Sequence, residues 1–288
     1  MTQSLNYSDR LEKRIQSIGN NICLGIDPVL AKIPIKGQPE QVIREFYLGI
    51  LNALDSHKIY PAAIKPNAAY FEAISVDAQH VLKELSAEYS ARGILVVLDA
   101  KRGDIGKSSS AYAQAAFDIF GADCITASPY MGSDSLKPFL DYKANKGVYG
   151  LLRTSNPGGK DVQDIVLADG RPLFLAIADL FIQWNNGSLG AVVGATNPAE
   201  LERIMAYFVA QNSEIPFLIP GVSIPGVSGQ QGGDALTVVK ALKSGGSKRD
   251  FHLLNSSSGL NFAYEAKPHL SYGDACAEAL KELVDSLN

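Results

Sequence analysis

The chain has 288 residues, 46% hydrophobic and 19% charged, with a formal net charge of −4 and a pI near 5.6. That is enough apolar material for one large core or two small ones. No block of five basic residues and no apolar run of about 18 residues occurs, which excludes an electrostatic nucleic-acid or membrane-surface binder and a transmembrane helix.

The first twenty residues, MTQSLNYSDRLEKRIQSIGN, lack an apolar signal core and pattern as an amphipathic helix. Short apolar runs bounded by turn residues then recur along the chain. They are NICLGID (21–27), IYPAAIKPN (59–67), GILVVLDAK (93–101), ADCITASPY (122–130), GVYGLLRTSNP (147–157), LGAVVGATNP (189–198), IPFLIPGV (215–222) and DFHLLNSSS (250–258). Helical patterns lie between them. In PEQVIREFYLGILNAL, Val42, Phe46, Ile50 and Leu54 share one face, and DAQHVLKELSAEYSA, DSLKPFLDYKAN, PLFLAIADLFIQW and PAELERIMAYFVA repeat the pattern. The strands are continuously apolar rather than alternating, as parallel strands covered by helices are. Eight such units predict an α/β fold: a single (β/α)8 TIM barrel with an N-terminal extra helix, as one domain over residues 1–288. A doubly wound sheet is the alternative, but no strand is followed by a GxGxxG turn.

Cys23, Cys124 and Cys276 have no metal spacing, and their odd count without a signal peptide predicts a reducing, cytoplasmic location. The four histidines are scattered, and His57 and His80 fall near helix ends, so neither a zinc site nor a histidine triad is expected. The basic cluster KSGGSKRD, from Lys243, reads as a solvated loop before the last strand.

Every apolar run ends in polar or special residues, and in a (β/α)8 barrel those ends share one rim, where active sites sit. Loops are polar in any fold, which accounts for the asparagines and serines. It accounts less well for Lys65 ending the second run, or for Asp99 and Lys101 ending the third with Asp104 just beyond. Asp99 and Lys101, two apart on a strand, point the same way. With Lys65 and Asp104 they make a line of alternating charge, in which each carboxylate favours its neighbours' ammonium form. A lysine kept protonated in this way is a poor Schiff-base nucleophile and a good proton donor. The array can also stabilise a developing carbanion while repelling a carboxylate on the substrate. The competing reading is an ion-pair network that only closes the rim. A second theme is anion binding. The seventh run leads into PGVSIPGVSGQQGGDALTVVKAL and the eighth into NSSSGL, glycine-rich turns where barrels often hold phosphate; plain flexible loops are the alternative.

The motif DAKRGDIG (99–106) resembles the DxKxxD signature of the orotidine 5′-phosphate decarboxylase superfamily. LGIDP (24–28), IKPNAAYFE (64–72), PYMGSD (129–134), RTSNPG (153–158), VVGATNP (192–198) and PGV…GQQGGD (220–234) extend the likeness to that family's longer bacterial-type (type 2) form, over almost the whole chain. The resemblance implies a cofactor-free and metal-free decarboxylation of orotidine 5′-phosphate to UMP, the last step of de novo pyrimidine synthesis. By the same likeness Lys101 donates a proton to C6, Asp99 crowds the substrate carboxylate and holds Lys101, and Lys65 completes the network and contacts the ribose. Asp27 binds a ribose hydroxyl, Ser155 the pyrimidine edge, and Gln231 with the Gly232 and Gly233 amides the phosphate. Asn67, Pro220, Ser258 and Gly259 complete the substrate-binding set. Asp104, with Ser108, reaches into a partner's site, which implies a homodimer. Nothing in the likeness suggests a nucleic-acid polymer or a membrane as partner.

One departure stands out: the family carries arginine in its last motif, NSSRG, where this chain has Ser258. A neutral hydroxyl replaces a permanent bidentate charge, at a cost of about 1.5–3 kcal/mol. A substitute cation (Lys248 and Arg249 are candidates, though they precede the strand and belong at the other end), a low-affinity enzyme, or drift toward another ligand would each account for it. Two rivals follow: a catalytically reduced nucleotide-binding paralogue, and a metal-dependent sugar-phosphate enzyme of the same superfamily. The glycine-rich stretches TSNPGGKDVQDIVLADGRP and PGVSIPGVSGQQGG are expected to close over base and phosphate.

Overall fold

A computed structural model describes residues 5–223 and 233–287. The eight predicted runs all form strands: β1 (Ile22–Ile26), β2 (Ala63–Pro66), β3 (Leu95–Arg102), β4 (Cys124–Ala127), β5 (Gly147–Arg153), β6 (Leu189–Val193) and β7 (Phe217–Pro220) come first. A minimal parallel pair, β8 (Val222–Ser223) and β9 (Gly233–Asp234), precedes the last barrel strand, β10 (Leu253–Ser256). The barrel closes in the order β1-β10-β7-β6-β5-β4-β3-β2, every pair parallel, with Ile22 against Leu254 at the seam. This is the predicted (β/α)8 architecture. The strands are shorter than the apolar runs because each run also includes residues entering the strand and residues of the rim. β3 alone extends past the end of its run, beyond Lys101 to Arg102, through a register shift against β4.

Parallel strands buried on both faces need two layers of apolar partners. The outer layer lies between strands and helices, where Phe46, Ile50 and Leu54 of the helix Pro39–His57 are fully buried. The inner layer fills the barrel with Cys23, Ala63, Leu95, Val97, Cys124, Tyr149, Leu218 and Leu253. The helix Tyr7–Ile18 plugs the end where the strands begin. Its Tyr7, Leu11 and Ile15, four residues apart and so on one face, join that inner cluster. Asn6 caps its start by accepting the Asp9 N–H, and Gly19 ends it at φ 70°. Gly147 opens β5 where the Tyr7 ring lies across it; a β-carbon there would sit 2.4 Å from the ring.

Lys248 and Arg249 lie at this plugged end. Arg249 pairs with Asp9 and Glu12 of the first helix at 2.9 and 2.7 Å, and Glu214 accepts the N–H groups of Lys248 and Arg249. Neither faces the mouth, so neither replaces the missing arginine. His252 is buried in the same region. Its Nδ1 accepts the Phe217 N–H at 3.1 Å, so in the neutral ring Nε2 carries the proton and donates to Ser247 Oγ, 2.9 Å away. Ser247 in turn donates to Glu214. Although a Ser, a His and a Glu meet here, the imidazole has no free lone pair with which to activate the serine. His57 pairs with Asp274 at 2.9 Å in the last turn of its helix, and His80 lies on an exposed helix face beside Asp77.

Candidate active site

Because all eight barrel strands run the same way, their C-terminal ends form one mouth, and chain order decides what stands there. Asp27 follows β1; Lys65 and Asn67 lie at the end of β2; Asp99 and Lys101 end β3; Ser155 follows β5; Pro220 ends β7; Ser258 and Gly259 follow β10. Gly233 opens toward the same rim in β9, where its N–H donates to the Gly221 carbonyl at 2.8 Å. Gln231 and Gly232 lie outside the described residues, as does the middle of the second expected lid.

The charge line forms, with three members rather than four. Asp99 Oδ2 accepts from Lys65 Nζ at 2.7 Å and Asp99 Oδ1 from Lys101 Nζ at 2.6 Å. The two lysines differ in access: the Lys65 side chain is 6% exposed and that of Lys101 52%. Lys65 is therefore the more fixed, interior charge, and Lys101 the one that projects furthest into the open mouth. Burial pushes the Asp99 carboxyl up, but the two ammonium groups overcome it and hold the carboxyl well below its ordinary range. Burial likewise opposes charge on Lys65, and Asp99 and Asp27 outweigh it, holding the amine above the ordinary lysine value. Beneath the array the Cys23 thiol is pushed up to about 12 by burial and stays neutral.

Asp104 is not in the line. The chain turns at Gly103, and the Asp104 carboxylate accepts the N–H of its own neighbour Ile105 at 2.8 Å, while its carbonyl accepts from Ser109 Oγ. Among the described residues it pairs with no cation of this chain. Ser108 follows on the helix Gly106–Gln114, exposed, next to an exposed Ile105.

The other candidates divide by what holds them. One carboxylate oxygen of Asp27 is buried without a hydrogen-bond partner, a cost that a ligand hydroxyl would relieve. Asn67 caps the helix Ala68–Glu72 by accepting the Ala69 N–H and bridges β2 to Asp99. Ser155 is exposed beside Gly194, where a β-carbon would meet Ser155 Cβ at 2.8 Å. Ser258 is exposed and begins the short helix Ser258–Asn261. Asn255 belongs to the scaffold instead: its amide donates to the Cys23 carbonyl, tying β10 to β1.

Two residues at this rim were not legible from spacing. Thr126, 1% exposed on β4, donates to Asp99 Oδ1 and accepts the Lys101 N–H, both at 2.9 Å. Arg153, buried at the end of β5, binds Glu200 at 2.8 Å and Asp164 at 2.9 Å, tethering the 154–172 loop. The arginine in RTSNPG was visible; its partners, scattered over 47 positions, were not. Among the described residues no three His, Cys, Asp or Glu side chains are grouped as metal ligands, and no helix is long and apolar enough to cross a membrane.

The model of the Orotidine 5′-phosphate decarboxylase / HUMPS family matches residues 20–248. The orotidine 5′-phosphate decarboxylase of Haloarcula marismortui is 40% identical over 294 residues, covering 99% of each chain. That of Herpetosiphon aurantiacus is 43% identical over 256 residues, covering 86% of this chain and 89% of the relative. The solved OMP decarboxylase of Leishmania donovani superposes with a TM-score of 0.74 at 35% identity, covering 98% of each chain. The chain belongs to the orotidine 5′-phosphate decarboxylase family, and its full-length relatives agree with the longer form that its motifs resemble.

Proposed function

We propose that this chain decarboxylates orotidine 5′-phosphate to UMP in pyrimidine biosynthesis, as a carboxy-lyase acting without a cofactor. The observation that carries the reading is the Lys65–Asp99–Lys101 array at the mouth, with Lys101 far more open than Lys65. The bond from C6 to the carboxylate breaks, CO2 departs and the electron pair stays on C6. The Lys101 ammonium is assigned to stabilise that charge and then transfer its proton to C6. Asp99, held anionic by two cations, repels the substrate carboxylate in the ground state and holds the Lys101 ammonium in place. Lys65 and Asp27 are assigned to the ribose, with Asn67 beside them. Ser155 takes the base edge, and Pro220, Gln231, Gly232, Gly233, Ser258 and Gly259 take the phosphate side. Loss of orotidine 5′-phosphate, followed by its ultraviolet absorbance with EDTA present, tests the reading. Turnover that EDTA abolishes would favour the metal-dependent rival, and UMP binding without turnover the reduced paralogue.

Among the described residues Asp104 has no cation of its own chain, and the array lacks a fourth member, which supports a homodimer in which Asp104 and Ser108 complete the partner's site. A sedimentation mass of a single chain would remove that reading. We read residues 1–288 as one catalytic unit, working in the cytoplasm. The 154–172 loop is read as a cover for the base, and amide exchange there unchanged by UMP would discount it.

Ser258→Arg is expected to lower KM for orotidine 5′-phosphate by roughly 10- to 100-fold, since a charge-assisted pair to phosphate is worth about 1.5–3 kcal/mol. Steady-state kinetics check it; an unchanged KM would mean that phosphate is already held without that arginine.

A further inference from the structure

Proton delivery to one carbon needs the Lys101 ammonium in one place, yet a lysine side chain has four rotatable bonds and half of this one is exposed. The main chain is equally demanding. Lys101 has φ 45°, in the left-handed region that side chains other than glycine seldom adopt, at the point where β3 shifts register against β4. Something must hold both the backbone and the carboxylate that aims the ammonium.

One hydroxyl does both. Thr126 Oγ accepts the Lys101 N–H at 2.9 Å, and its single proton goes to Asp99 Oδ1 at 2.9 Å. That same oxygen accepts the Lys101 ammonium at 2.6 Å. The path closes into a ring: Lys101 main chain, Thr126 hydroxyl, Asp99 carboxylate, Lys101 side chain. Thr126 is 1% exposed, so water does not replace it. We infer that Thr126 is a positioning residue for the proton transfer: it locks Lys101 in its left-handed conformation and fixes the Asp99 oxygen that orients the ammonium. The inference rests on the decarboxylase reading, because it takes Lys101 as the donor.

Thr126→Val keeps the shape and removes both hydrogen bonds; Thr126→Ser keeps both. With Val, kcat is expected to fall by roughly 10- to 100-fold, the equivalent of losing a hydrogen bond to a charged group. The dissociation constant for UMP is expected to stay within about threefold, because no proton moves in binding product, and Ser is expected to recover most of kcat. A role confined to packing would instead leave kcat near wild type, or lower it equally in Val and Ser, and either result overturns the assignment. If Val does not fold, Thr126→Ala is judged by the same ratio of kcat to UMP affinity. Failure of both to fold would also overturn it, in favour of a purely structural threonine. Wild type and Lys101→Ala are measured alongside. An inactive wild type or an active Lys101→Ala defeats the decarboxylase reading itself, and so is told apart from failure of the Thr126 inference alone.

Discussion

Lys101→Ala is expected to lower kcat on orotidine 5′-phosphate by at least a hundredfold and as much as about ten-thousandfold, the range that a positioned proton donor supplies. The argument is one of access. Of the two lysines on Asp99, Lys65 is enclosed and Lys101 half open, so only the second can reach a carbanion formed in the mouth. The substitution should leave the fold intact, because an exposed lysine contributes little to stability and Asp99 keeps its bond to Lys65. Thermal unfolding within a few degrees of wild type, with UMP still bound, would place the whole loss in the chemical step. If kcat stays within tenfold of wild type, Lys101 is not the donor.

Asp99→Asn is expected to damage stability and rate together. Its neutral amide leaves Lys65 as a buried ammonium without its nearest carboxylate, a situation that costs about 3–5 kcal/mol. That corresponds to a fall in Tm of roughly 6–15 °C for a domain of this size. The pH dependence follows from the two shifts. The Asp99 carboxyl is held below its ordinary value of 3.8 in the folded chain, so its contribution is complete above that value and is lost as pH falls through the folded one. The Lys65 amine is held above its ordinary 10.5, so its contribution is complete below that value and is lost as pH rises through the higher folded one. The pair therefore supports the wild type across the neutral range. Urea unfolding at pH 7 and pH 3 should show the wild type losing more stability than Asp99→Asn over that interval, since the variant has no carboxylate left to protonate. Equal losses would mean that Asp99 is not held anionic by its lysines.

The stability effect distinguishes the two substitutions at one site. Asp99 and Lys101 are bonded to each other, yet burial makes one costly to the fold when replaced and exposure makes the other nearly neutral to it. The same contrast bears on the view that the array only closes the rim. A purely structural network has no reason to leave one lysine 52% exposed at the mouth, where its ion pair gains least.

Much of this was determined by the sequence alone. A strand buried on both faces must be apolar throughout, and a rim residue need not be, so the end of each apolar run marks the mouth. That reasoning located all eight barrel strands and put Lys65, Asp99 and Lys101 at one end of them. It also placed Lys248 and Arg249 at the other end, because they precede their strand. Tertiary structure decided the rest, because contacts across neighbouring strands depend on register. Thr126 lies inside the fourth apolar run with nothing in its spacing to mark it, and only the β3–β4 shift sets its hydroxyl between Asp99 and the Lys101 main chain. Arg153 found its acidic partners only when the loop folded back. Asp104, five residues from Asp99, was expected to join it and does not, because the chain turns away after β3 and its carboxylate caps its own neighbour. Periodicity along one chain reports burial, and burial fixed the barrel. Which charges meet depends on where adjacent strands stop relative to one another, and one-dimensional spacing does not encode that.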